Sequence, residues 1–205
     1  MTAGAIAIDP NYEDLTIAAY RYRQSNIYQL LQNARLSLTP LIGAQADSGP
    51  VASAALNDSV TYITGVGHGT YDCFSGYYSH PIFAVADLNA NLVAGKIVHL
   101  LSCSTAAGLG PDMVALGCKA FFGYCVPFTF DPANASIFFE CDAQIDIGLA
   151  KGLPAGVVAA NVKAFFQQAI NDNPSAAGYL QMNLDNFRSP ADGARWGSTD
   201  ATLFS

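Results

Sequence analysis

The sequence predicts an α/β protein: a three-layer α/β/α sandwich on a mainly parallel sheet. Three observations carry that expectation. Short β-branched runs alternate along the chain with stretches of helical apolar spacing. The strongest runs are continuously apolar rather than alternating, as strands buried on both faces are. About 28 residues separate the first two of them, enough for the right-handed crossover that parallel neighbours require.

Each element has its own signal. "AIAI" at residues 5–8 reads as a short strand. In the segment that follows, Ile27, Leu30, Leu31, Ala34 and Leu38 recur at helical spacing and predict one long amphipathic helix. Turn signals flank a short helix near 50–57, and "SVTYITGV" is a buried strand. "IFAVADLNANL" predicts a short helix stopped by Asn91 and Gly95, and "KIVHLLS" another buried strand. Pro111 opens a helix in "GPDMVALGCKAF", because a first helical turn tolerates proline. "FFGYCVPF" is the next strand. Phe138, Cys141, Ile145 and Leu149 mark one late helix; Val158, Val162, Phe165 and Ile170 mark a second, headed by Pro154; "AAGYLQMNLDNF" predicts a third. The tail carries turn residues and the sole tryptophan, Trp196.

Composition narrows the function. A chain of 205 residues suits a single domain, 1–205, and 51% hydrophobic with 12% charged residues argues for a full core and against disorder. Net charge is −7 and the nine basic residues are scattered, so no stripe exists for nucleic acid. No apolar run approaches the roughly 18–20 residues of a membrane span. The first residues lack a signal peptide's basic and apolar regions, so the expected compartment is cytoplasmic. Five cysteines without CxxC spacing fit neither a disulfide framework nor a zinc ribbon, and no metal or other cofactor is expected.

The informative stretch is "ITGVGHGT". It sets His68 among glycines just past the end of one expected strand, while Cys103 follows the end of the next in "IVHLLSCSTAAGLG". In a parallel sheet those carboxyl ends share one edge, where ligands of open α/β sheets bind. Neighbouring strands lie about 4.8 Å apart, so two side chains 35 residues apart in sequence can face one substrate. A free thiol has a pKa near 8.5, and an imidazole beside it can take its proton or protonate a leaving amine. Gly67 and Gly69 allow close backbone approach, and the amides of Gly69 and Cys103 can hold an oxyanion.

At these residues the chain resembles the caspase-like cysteine peptidases of clan CD. A strand ending in "GHGT", a crossover and "LLSCST" follow that family's order, most closely its bacterial CHAT branch, related to separases. The similarity covers about residues 59–170. It implies a caspase-like fold and a cysteine endopeptidase of peptide or protein substrates, with a His68/Cys103 dyad. There are departures: no Trp precedes Pro127, Ser102 stands where Ala is common, and Leu101 stands where metacaspases carry Asp.

Other candidates are weaker. Asp131 matches the family's acidic turn and is a substrate-pocket candidate, though it also reads as a helix cap ahead of "PANASIFFE". Asp72 is positioned to orient His68 or meet a basic substrate side chain, or is a solvated loop acid. The acidic composition and Asp131 lean toward a basic substrate residue. His99 reads as a satisfied core histidine. His80, Cys73 and Cys125 fit no metal spacing, and "GVGHGT" is not a dinucleotide loop because no helix follows it. Two rivals stay open: a catalytically silent caspase-like interaction module, and an α/β binding domain in which Cys103 is buried and inert.

Overall fold

The computed structural model describes residues 3–204. Its strands are β1 (Gly4–Asp9), β2 (Ser37–Ile42), β3 (Val60–Val66), β4 (His68–Gly69), β5 (Cys73–Ser75), β6 (Pro81–Ala84), β7 (Ile97–Leu101), β8 (Ala120–Tyr124) and β9 (Phe187–Arg188). Its helices are α1 (Asp14–Asn26), α2 (Tyr28–Asn33), α3 (Ser48–Ala55), α4 (Ala90–Val93), α5 (Leu109–Ala115), α6 (Ala135–Ala150), α7 (Ala155–Asp172) and α8 (Ala177–Asn186). The central sheet runs in the order β2-β1-β3-β7-β8-β9, parallel throughout except for β9.

Alternation along each strand sorts side chains into two cores. Tyr62, Val66, Ile97, Leu101, Phe122 and Tyr124 pack beneath α1, α2, α6, α7 and α8. Ile6, Ile8, Ile63, Val98, Leu100 and Phe121 pack on the other face against α3 and α5. This is the three-layer sandwich expected from continuous apolar strands: both faces are covered, so both phases of the alternation are mostly apolar. Among the described residues no helix is long and apolar enough to cross a membrane.

The structure corrects four expectations. The long helix breaks at Ile27 into α1 and α2, and Arg35, at a φ of 64°, ends it. Leu38 therefore belongs to β2, where Pro40 is tolerated because β2 is an edge strand. "IFA" is strand β6, since Phe83 pairs with Phe74 of β5, and only Ala90–Val93 is helical. Strand β8 stops at Tyr124 instead of running on to Phe128. Finally β4, β5 and β6 form a small antiparallel sheet that begins at His68 itself, which pairs with Ser75.

Candidate active site

Strands β3 and β7 are parallel neighbours whose last paired residues are Val66 and Leu101. His68 and Cys103 each follow that pair by two positions. The Gly67 amide donates to the Leu101 carbonyl at 3.2 Å, tying the two tips together. His68 and Cys103 line one cleft, with a cavity volume of about 70 Å³, whose other walls include Leu15 and Ala19 of α1, Phe139 of α6 and Phe128 and Phe130 of the loop after β8.

Gly69 explains why glycine flanks the histidine. A Cβ there would collide with the Cys103 carbonyl and lie 2.8 Å from the Thr105 methyl. The bare backbone lets the histidine turn pack onto the cysteine turn. Glycine is needed again at Gly108, where a Cβ would run into Tyr71, and the Leu109 amide donates to the Tyr71 carbonyl at 2.8 Å.

The cysteine turn is braced on several sides. Ser102 and Thr105 share a buried hydroxyl bond of 2.9 Å. Ser104 adopts a φ of 60°, a strained conformation for a residue with a Cβ, and its amide donates to Val126 at 3.2 Å. The tail supports the turn from behind: Trp196 donates its indole N–H to Ala106 at 2.8 Å, and Arg195 donates to Ala107 at 3.0 Å. Cys103 itself is half-buried. Burial pushes its thiol pKa up, and a hydrogen bond from the Phe128 backbone offsets this only in part. Cys118 and Cys141 are buried deeper, and burial pushes both up to about 12.

Sequence reading missed one member of the cluster. Glu13 Oε1 lies 2.5 Å from His68 Nε2, with both side chains about 40% exposed (39% and 40%). Glu13 caps the amino end of α1, which delivers it to the sheet edge from a segment without recognisable motifs. Its only sequence signal was that of an acid preceding a helix, and such acids are usually caps.

The other acids named from sequence have local partners. Asp131 accepts from the Ala133 amide at 3.1 Å and from Asn134 Nδ2 at 2.7 Å, capping a short helical turn. Asp72 accepts from the Thr70 hydroxyl at 2.7 Å on an exposed loop. Neither lines the cleft. A second cavity of about 220 Å³ adjoins it through the shared Leu15 and Phe130, and the acid on its wall is Asp14. His80 pairs with Asp47 at 3.1 Å on the surface. Among the described residues no group of three acidic, histidine or cysteine side chains is placed to hold a metal.

His99 is buried among polar partners. Its Nε2 lies 3.2 Å from Asp142 and its Nδ1 3.4 Å from Asp146. Arg23 of α1 donates to Asp9 at 2.8 Å and to Thr64 at 3.1 Å, and lies 3.5 Å from Asp146. The network sits one layer below the cleft: Thr64 and His99 precede Val66 and Leu101 by two positions, and Arg23 follows Ala19 by one helical turn.

No family model matches the chain, and no curated protein matches it in sequence. Solved structures do match. One is the crystal structure of the Arg-specific cysteine proteinase gingipain R, with a TM-score of 0.64 at 13% identity over 92% of this chain and 46% of that one. Another is the complex of the Porphyromonas gingivalis RgpB pro- and mature domains, with a TM-score of 0.63 at 12% identity over 92% and 47%. The fold is therefore caspase-like, as in these neighbours. This chain spans just under half the length of each neighbour.

Proposed function

We propose that the chain is a cysteine endopeptidase acting on peptide or protein substrates. One observation carries the reading: His68 and Cys103 line a single cleft at the carboxyl edge of the sheet, and His68 is tied to a carboxylate. Burial pushes the thiol pKa up, which leaves a proton for the neighbouring imidazole to take. Cys103 Sγ attacks the scissile carbonyl carbon, and the carbonyl oxygen takes the displaced electron pair and rests on the amides of Gly69 and Cys103. The thiol proton passes by way of His68 to the leaving nitrogen, the C–N bond breaks, and a thioester remains. Water then adds to the thioester; its proton returns to the sulfur and the acid product leaves. Glu13 holds Nε2, so proton transfer falls to Nδ1.

The adjoining cavity supports a preference for a basic residue before the cut. Its walls, Leu15, Ala18, Phe130, Pro132 and Ala135, suit an aliphatic stem, and Asp14 supplies the charge. Gingipain R, the structural neighbour described above, is an Arg-specific proteinase, which fits the same lean. Within the clan, the CHAT branch rests on the His-Gly and Ser-Cys motifs alone; the solved neighbours support clan CD and not that branch. Fluorogenic peptides ending in Arg or Lys test the reading. Cleavage lost in Cys103→Ala and His68→Ala is the expected result, and cleavage surviving Cys103→Ala overturns it.

The silent interaction module is the second reading, favoured by the upward shift of the Cys103 thiol. It expects no peptide to be cut and Cys103 to alkylate no faster than the other half-buried cysteines when peptide is present.

A further inference from the structure

Beyond the cleft, His68 touches a group of tyrosines that the reaction above does not use. The Tyr12 ring meets His68 edge-on with 6.2 Å between centroids. It also packs against Tyr77 at 5.7 Å and Tyr78 at 5.3 Å, and the latter two are 4.4 Å apart. The three come from two separate places, Tyr12 from the turn before α1 and the adjacent Tyr77 and Tyr78 from the β5–β6 connection.

This cluster is held open. Tyr78 and Ser79 both sit at positive φ, 51° and 60°, which costs energy in non-glycine residues. The Tyr12 hydroxyl shares a 2.9 Å bond with Ser79, and the Tyr77 amide donates to Ala46 at 2.8 Å. The result leaves Tyr78 64% exposed, although an aromatic ring gains by being covered. A strained pair of residues that presents a ring to solvent beside a candidate catalytic histidine calls for an occupant.

The position of His68 indicates which one. His68 lines the cleft, the Asp14 cavity adjoins that cleft through Leu15 and Phe130, and none of the three tyrosines lines either. His68 is the group that protonates the leaving amine, so the part of the substrate that follows the cut must pass along the side that Tyr12 meets, over these rings. We infer that Tyr12, Tyr77 and Tyr78 form a subsite for the leaving segment of the substrate, selecting a planar side chain, an aromatic ring or a guanidinium, at its first or second residue. Both planar groups stack on phenol faces, where a branched aliphatic chain gains less. The inference rests on the peptidase reading for the direction of the chain.

The test uses internally quenched peptides with one basic residue before the cut and Phe, Arg, Leu or Gly after it. The expected result is a roughly 3- to 10-fold higher kcat/KM for the Phe and Arg peptides than for Gly. Tyr78→Ala should erase that preference, bringing the Phe and Arg peptides to the rate of the Gly peptide measured with the same variant, and Tyr12→Phe, which keeps the ring and loses the bond to Ser79, should reduce it. A Phe preference without an Arg preference would identify ring stacking; the reverse, cation–π attraction. Cleavage with no preference, or a preference that survives Tyr78→Ala, overturns the subsite and leaves the peptidase standing. If no peptide is cut, the peptidase reading fails separately. The subsite is then judged by binding of short peptides beginning with Phe, Arg, Leu or Gly to the Cys103→Ala protein: tighter Phe or Arg binding that Tyr78→Ala removes sustains it, and equal binding ends it.

Discussion

His68 and His99 make an instructive pair. Each belongs to one of two neighbouring parallel strands or its extension, and each faces carboxylate. His68 stands past the end of β3, 39% exposed, with Glu13 beside it. His99 stands inside β7, fully buried, with Asp142 and Asp146 on its two nitrogens. Burial alone would lower the His99 pKa, but the two carboxylates outweigh it and raise it to about 9. Asp146 is likewise pulled well below the usual carboxylate range, burial notwithstanding, by His99 and Arg23. A carboxylate partner therefore does not by itself mark a catalytic imidazole. With one partner and access to the cleft, the ring can exchange protons with a substrate; with two partners and no access, it is a fixed buried cation.

Removing each ring in turn should separate the two roles. His68→Ala should lower cleavage about 10²- to 10⁴-fold, the usual range for a general acid-base group, with the thermal midpoint nearly unmoved. His99→Ala should do the reverse. It removes the cationic partner that two buried carboxylates share, leaving Asp146 to Arg23 and Tyr62 and Asp142 to Tyr124, and should destabilise the fold by about 3 kcal/mol, read as a lower urea midpoint at unchanged slope. A cleavage loss for His99→Ala that exceeds the loss of folded protein would show that the two sites are not separate.

A smaller effect draws the same contrast through pH. The folded pKa of His99, about 9, exceeds the ordinary 6.5, so the folded state keeps a proton that the unfolded chain releases. Its contribution, on the order of 3 kcal/mol, is fully present below pH 6.5 and is lost as pH rises through about 9. Urea midpoints measured across that window should fall, and the fall should vanish in His99→Gln. The smallest effect concerns the orienting carboxylate. Glu13→Gln keeps a hydrogen bond but removes its charge, and should lower kcat by roughly 10-fold while KM stays put. A KM change instead would reassign Glu13 to substrate binding.

Much of this was legible in the chain. Strands β1, β3 and β7 are continuous apolar runs, and the edge they share is why His68 and Cys103 were paired across 35 residues of sequence. What escaped is non-local. β2 resembles the tail of a helix because Leu38 keeps helical spacing, and only pairing with β1 makes it a strand. Glu13 could not be found because its chemistry depends on where α1 docks. Asp14 was likewise hidden, whereas Asp131 and Asp72 stood out by proximity to motifs yet spend their oxygens on neighbouring residues. Trp196 lay in a tail without periodicity, and its role behind the cysteine turn is a contact across 90 residues.

Helix α1 works as a ruler. Leu15, Ala19 and Arg23 fall on one stripe, two of them walling the cleft and the third locked to Asp9 and Thr64, while Glu13 stands at the near end. From that lock to Glu13 is ten residues, roughly 15 Å of helix, and each residue turns the helix by about 100°. One residue inserted into or removed from this span would swing the carboxylate off the imidazole and the stripe off the cleft together. Along this stretch the chain should tolerate exchanged letters far better than an altered count of them.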